Sequence, residues 1–119
     1  MGLGGFYPGF PSVGASYAAA KAGIIGLTRQ VAVEYAGDNM RCNVIAPGWH
    51  KDTNLGAERR SAASAETVQA FEQTIASLTP MGRKGTPEEL RGLAVLLASD
   101  PSSFITGQVF TQNAGWTST

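Results

Sequence analysis

The spacing of apolar side chains divides the chain into helical and extended stretches, separated by runs of glycine, proline and polar residues. From about Ala15 to Ala36, the residues Ala20, Ile24, Leu27, Val31 and Tyr35 recur every three or four positions, which predicts a helix with one apolar stripe. Ala22, Gly23 and Gly26 add small residues that let another element approach closely, although each glycine weakens the helix by about 1 kcal/mol. Gly37 and the following Asp38-Asn39 read as its stop. Arg41 to Ala46 reads as a strand ended by Pro47-Gly48, and Lys51 to Ala63 as a long polar loop without a period. Val68, Phe71, Ile75 and Leu78 then fall on one face of a second helix, closed by Thr79-Pro80-Met81-Gly82. A third helix carries the clearest start signal: Thr86 can cap, Pro87 suits the first helical position, and Glu89 can complete a capping box. Its buried face is expected at Leu90, Leu93, Ala94 and Leu97, with Asp100-Pro101 as the stop and Gln108 to Gln112 as a short last strand.

Strands separated by helices imply a parallel sheet of the α/β kind. Two strands are too few for such a sheet, because a parallel pair with open edges leaves apolar faces and unpaired backbone groups in water. More strands are therefore expected beside these two. The Gly/Pro-rich opening from Met1 to Gly14 reads as a segment that connects to something upstream.

Composition narrows the functional classes. Nine basic and nine acidic side chains cancel, and no block of like charge stands out, which argues against nucleic acid or an anionic membrane surface as partner. The uncharged first twenty residues are broken by Pro8 and Pro11 and lack a basic leader, so neither a signal peptide nor a membrane span is expected. The single cysteine, Cys42, excludes an internal disulfide and fits a cytoplasmic setting; its place in the first strand reads as a core thiol rather than a nucleophile. A lone histidine, His50, excludes a multi-histidine metal site, and no metal is expected. His50 reads either as a solvated loop side chain or as a neighbour of a cofactor. Trp49 either lines a substrate pocket or packs under the loop. Val68, Phe71 and Ile75 form a substrate-facing lid, the underside of a helix, or both.

The residues that carry chemistry are Tyr17 and Lys21. Four apart on a helix, a phenol and an ammonium share one face. A phenol is a weak acid, and a neighbouring cation favours its phenolate, so the pair can exchange a proton with a hydroxyl or carbonyl oxygen. By spacing alone such a pair is usually a surface contact, and the surrounding residues decide. The run Ser16-Tyr17-Ala18-Ala19-Ala20-Lys21-Ala22-Gly23, with Gly26-Leu27-Thr28, closely resembles the catalytic helix of the short-chain dehydrogenases/reductases. Arg41-Cys42-Asn43-Val44-Ile45-Ala46-Pro47-Gly48 is similar to that family's sixth strand and its Pro-Gly turn. Pro80-Met81-Gly82-Arg83, Gly85-Thr86-Pro87-Glu88-Glu89 and Ile105-Thr106-Gly107-Gln108 are similar to its closing helix and last strand.

The resemblance covers nearly the whole chain. It implies the C-terminal part of a Rossmann-type doubly wound parallel sheet, with residues 1–119 lacking the dinucleotide-binding half. It further implies an oxidoreductase that uses NAD or NADP on a small-molecule carbonyl/alcohol pair and assembles as a homodimer or homotetramer. In that reading Tyr17 is the general acid/base, and Lys21 favours its ionised form and bonds the nicotinamide ribose. Pro47 and Gly48 shape the turn beside the nicotinamide, His50 offers its backbone to the carboxamide, and Thr53 is the threonine of that loop. The chain departs from the family in several places. Gly4 and Gly5 stand where the catalytic serine is usual, with Ser12 and Ser16 the nearest hydroxyls. His50 replaces an aliphatic residue, and Thr53 comes one position late. Gln112-Asn113-Ala114-Gly115 stands for the usual Asp-Gly-Gly turn, and no Gly-rich strand-to-helix turn for a pyrophosphate is present. The alternative reading is an inactive remnant acting as a dimerisation or interaction module.

Overall fold

The computed structural model describes residues 14–51 and 61–118. In order, they form helix α1 (Ala15–Glu34), a 3-10 turn (Ala36–Asp38), strand β1 (Val44–Pro47), helix α2 (Ala65–Leu78), helix α3 (Pro87–Leu97), a second 3-10 turn (Asp100–Ser102), strand β2 (Val109–Gln112) and a terminal 3-10 turn (Trp116–Ser118). The two strands pair in parallel, with Val44 N–H donating to the Gln108 carbonyl at 2.9 Å and Gly48 N–H to the Gln112 carbonyl at 3.0 Å. This is the expected incomplete α/β sheet. Helices and loops gather into two units, Met1–Ala46 with Leu96–Phe110, and Pro47–Val95 with Thr111–Thr119.

In the first unit, α1 starts without a side-chain cap: the Gly14 carbonyl accepts from Tyr17 N–H at 2.9 Å and Ala18 N–H at 3.2 Å. Of the apolar stripe, Val31 is half-buried and Ala20 exposed. Ile24, Leu27 and Tyr35 are exposed, and the buried side chains are Thr28 and Ala32. The helix has apolar residues on nearly every side, so periodicity alone does not select the face, and the small residues take the close approach: a side chain built on Gly107 would meet Ala32 Cβ at 3.4 Å. The helix ends at Glu34, and the left-handed residue that stops the following turn is Asn39 (φ 59°) rather than Gly37.

The first strand also starts later than expected, at Val44 rather than Arg41. Over the intervening residues, side chains replace most of the ladder. Cys42 N–H donates to Thr106 Oγ1 (3.1 Å), Asn43 Nδ2 to the Ile105 carbonyl (2.9 Å), and Gln108 N–H to Asn43 Oδ1 (3.1 Å). Arg41 reaches the Leu97 carbonyl at 2.8 Å, placing a cation at the negative end of α3.

In the second unit the sequence pattern holds closely. Ser64 caps α2, its Oγ accepting from Thr67 N–H at 3.2 Å. Ile75 is fully buried, with Val68, Phe71 and Leu78 half-buried on the same face. Thr79 is buried too, because its hydroxyl donates back to the Ile75 carbonyl at 2.6 Å. On α3, Leu90, Leu93 and Leu97 are half-buried, while Ala94 is exposed. Ser61 and Ala62 have helical backbone, so the loop expected to run to Ala63 ends in a turn of helix. Among the described residues, no helix is long and apolar enough to cross a membrane.

Ile75→Ala should lower the free energy of unfolding by about 2–5 kcal/mol, since it opens a cavity at a fully buried site. Val33→Ala, at an exposed position, should cost no more than about 0.5 kcal/mol; denaturant unfolding of both variants checks the contrast.

Candidate active site

Tyr17 and Lys21 lie one turn apart on α1, as their spacing predicts, with the Lys21 ammonium 5.4 Å from the centre of the Tyr17 ring. At that distance the cation is held by the aromatic ring's negative face. Tyr17 is half-buried and Lys21 exposed. Ser16 is exposed on the same turn; Ser12 lies outside the described residues.

Pro47, Gly48 and His50 form a second group, at the end of β1. Gly48 is required by packing, because a Cβ there would sit 2.7 Å from Asn113 Cβ and 2.8 Å from Asn113 Cα. Beyond it the main chain bridges residue 85 in parallel: Gly85 N–H donates to the Trp49 carbonyl (2.8 Å) and Lys51 N–H to the Gly85 carbonyl (2.9 Å). That pattern turns the N–H and C=O of His50 itself away from residue 85. The His50 ring is half-buried, and its Nδ1 lies 3.1 Å from the Gly48 carbonyl, so the solvated-loop reading of this side chain does not hold. Thr53 lies outside the described residues.

Trp49 packs against two other aromatic rings. Its ring meets Phe71 of α2 edge-on at 5.7 Å and Trp116 at 5.5 Å. Lys84 stands over Phe71 at 5.3 Å and pairs with Glu72, which places Phe71 on the packed underside of α2.

Glu89 does more than its capping box requires. Its carboxylate accepts from Thr86 N–H at 2.8 Å, as the motif predicts, and also from both Arg83 Nη atoms, at 2.9 and 2.7 Å. The guanidinium first, and the Thr86 N–H second, hold the Glu89 carboxyl at about 2, and the same pairing raises Arg83. Glu88 is lowered as well, by its own N–H and then by the Thr86 hydroxyl. The Glu89 carbonyl accepts from Gln112 Nε2 at 2.6 Å. Sequence reasoning missed the Arg83 fork and the Gln112 bond, since both join residues from different elements and leave no periodic signal. A cavity of about 80 Å³ lies among Trp49, His50, Arg83, Glu89 and Asn113, well below the roughly 300–1,000 Å³ of sites that enclose a small organic ligand.

A family model described as enoyl-(acyl carrier protein) reductase matches residues 7–117. The chain is 42% identical over 100 residues to 2-keto-3-deoxy-L-fuconate dehydrogenase of Xanthomonas campestris, covering 84% of this chain and 33% of that protein. A gluconate 5-dehydrogenase from Burkholderia cenocepacia, solved with NADP and tartrate, is 35% identical with a TM-score of 0.76, covering 88% of this chain and 38% of that one. 4-Hydroxyisoleucine dehydrogenase complexed with NADH is 31% identical with a TM-score of 0.76, covering 100% of this chain and 45% of that one. The chain thus spans between a third and a half of the length of these relatives.

The depressed Glu89 carboxyl makes stability depend on acid. The ionised form is favoured in the fold, so its contribution is complete above the ordinary 4.5 and is lost as pH falls toward about 2. Unfolding midpoints measured across that window should fall for the native chain and fall less for Glu89→Gln.

Proposed function

Because the chain belongs to the short-chain dehydrogenase/reductase family, we propose that it supplies the C-terminal part of an NAD(P)-dependent oxidoreductase interconverting a carbonyl and an alcohol. The observation that carries this reading is the Tyr17–Lys21 pair, an ammonium 5.4 Å from a phenol ring on one helix. In carbonyl reduction Tyr17 Oη gives a proton to the carbonyl oxygen; in alcohol oxidation it takes that proton back. Lys21, charged and exposed, stabilises the phenolate left behind and offers donors to a ribose hydroxyl.

The residues present fit a nicotinamide. The N–H and C=O of His50, turned away from Gly85, supply the donor and acceptor that a carboxamide reads, and Pro47-Gly48 sets the direction of that backbone. Thr53 is the hydroxyl candidate of the same loop. When bound, NAD or NADP supplies or accepts the hydride, and the protein's part is positioning and proton exchange. The pyrophosphate cradle belongs, in this reading, to a dinucleotide-binding half outside residues 1–119.

A second reading, an interaction module, draws support from α1. Leu27 is 65% and Val33 77% exposed, and a partner subunit or further strands would cover such side chains. The two readings are compatible in a homodimer or homotetramer.

In the complete oxidoreductase, Tyr17→Phe should cut turnover by about 100- to 10,000-fold while cofactor affinity stays near the native value. Steady-state rates with NADH and NADPH over a panel of carbonyl compounds, with a fluorescence titration of each cofactor, check this. Undiminished turnover removes Tyr17 from the acid/base role.

A further inference from the structure

We propose that His50 is a positioning residue: its imidazole clamps the Pro47-Gly48 turn from within and packs against the open side of Gly85. A backbone carbonyl only accepts, so the 3.1 Å contact between Nδ1 and the Gly48 oxygen places a proton on Nδ1. The side chain thus bends back over its own turn and ties residue 50 to residue 48. On its other side the ring lies against the Gly85 Cα. A Cβ at 85 would sit 2.7 Å from Nε2, 2.9 Å from Cδ2 and 3.3 Å from Cε1. Contacts under 3.0 Å to two ring atoms mean that an alanine there must shift the imidazole.

The backbone around the ring is fixed in the same place. Trp49 and Lys51 bond to Gly85 on either side of His50, and Gly48 bonds to Gln112. The clamp thereby sets where the backbone of residue 50 points. An aliphatic side chain would fill the space without tying the turn.

Two measurements test the clamp independently of any activity. The chain has a single histidine, so its imidazole nitrogens give one set of NMR signals. A protonated Nδ1 is expected; a bare Nδ1, or the averaged pair of a solvated imidazole, overturns the proposal. Gly85→Ala should lower the unfolding midpoint in the native background and have little further effect in His50→Ala, where no ring is present. Equal loss in both backgrounds overturns the coupling.

A third measurement rests on the proposed function. In the complete oxidoreductase, His50→Leu should raise KM for the nicotinamide cofactor several-fold, up to about tenfold, with kcat little changed, as loss of one positioning hydrogen bond implies. His50→Asn, whose Nδ2 can stand in for the imidazole Nδ1, should restore most of the native KM. Equal effects of Leu and Asn reject the positioning role. A clamp seen by NMR in a protein that reduces no carbonyl would reject the function and leave the clamp in place.

Discussion

Between Val44 and Gly48 the chain is held to residues 108–112 by hydrogen bonds in one parallel register. Val44 N–H donates to the Gln108 carbonyl and Gly48 N–H to the Gln112 carbonyl, while Gly107 N–H, one residue out of step, donates to the Cys42 carbonyl at 2.7 Å. Parallel pairing cannot be made by a tight turn and needs a long crossover, here the stretch that holds α2 and α3. The group at the strand ends hangs on that register. It delivers Pro47 and Gly48 at the end of β1, and Gln112 and Asn113 at the end of β2, so that the Gly48 backbone can lie against Asn113. A shift by one residue would put a side chain where only hydrogen fits.

The polar side chains Arg41 and Asn43 extend the same register before the strand begins. Their bonds to the carbonyls of Leu97 and Ile105 satisfy groups that a regular ladder would leave open at its start. The Arg41 guanidinium also meets the last carbonyl of α3, so one side chain serves both the sheet and a helix end.

Much of this was legible in the residues. The face of α2, from Val68 to Leu78, and the Thr86–Glu89 start of α3 follow from local spacing, because each depends on neighbours three or four positions away. The same spacing brings Tyr17 to Lys21. The buried side of α1 was not legible: with apolar residues all around it, the face is chosen by what packs there, and Thr28 and Ala32 were overlooked for being small or polar. Nor was the start of β1, since Cys42 and Asn43 pair through side chains some 64 positions away. His50 was read as a backbone donor, but what its ring does depends on Gly85, in a segment brought beside it only by folding.

Lys84 pairs with Glu72, stands over the Phe71 ring, and keeps only 10% of its side-chain surface in contact with solvent. Its amine is therefore shielded from acylating reagents for as long as α2 stays docked on the 80–86 turn. Lysines on open surface carry no such protection, so the reactivity of this one nitrogen is a chemical clock for the opening of α2, readable without any substrate or cofactor.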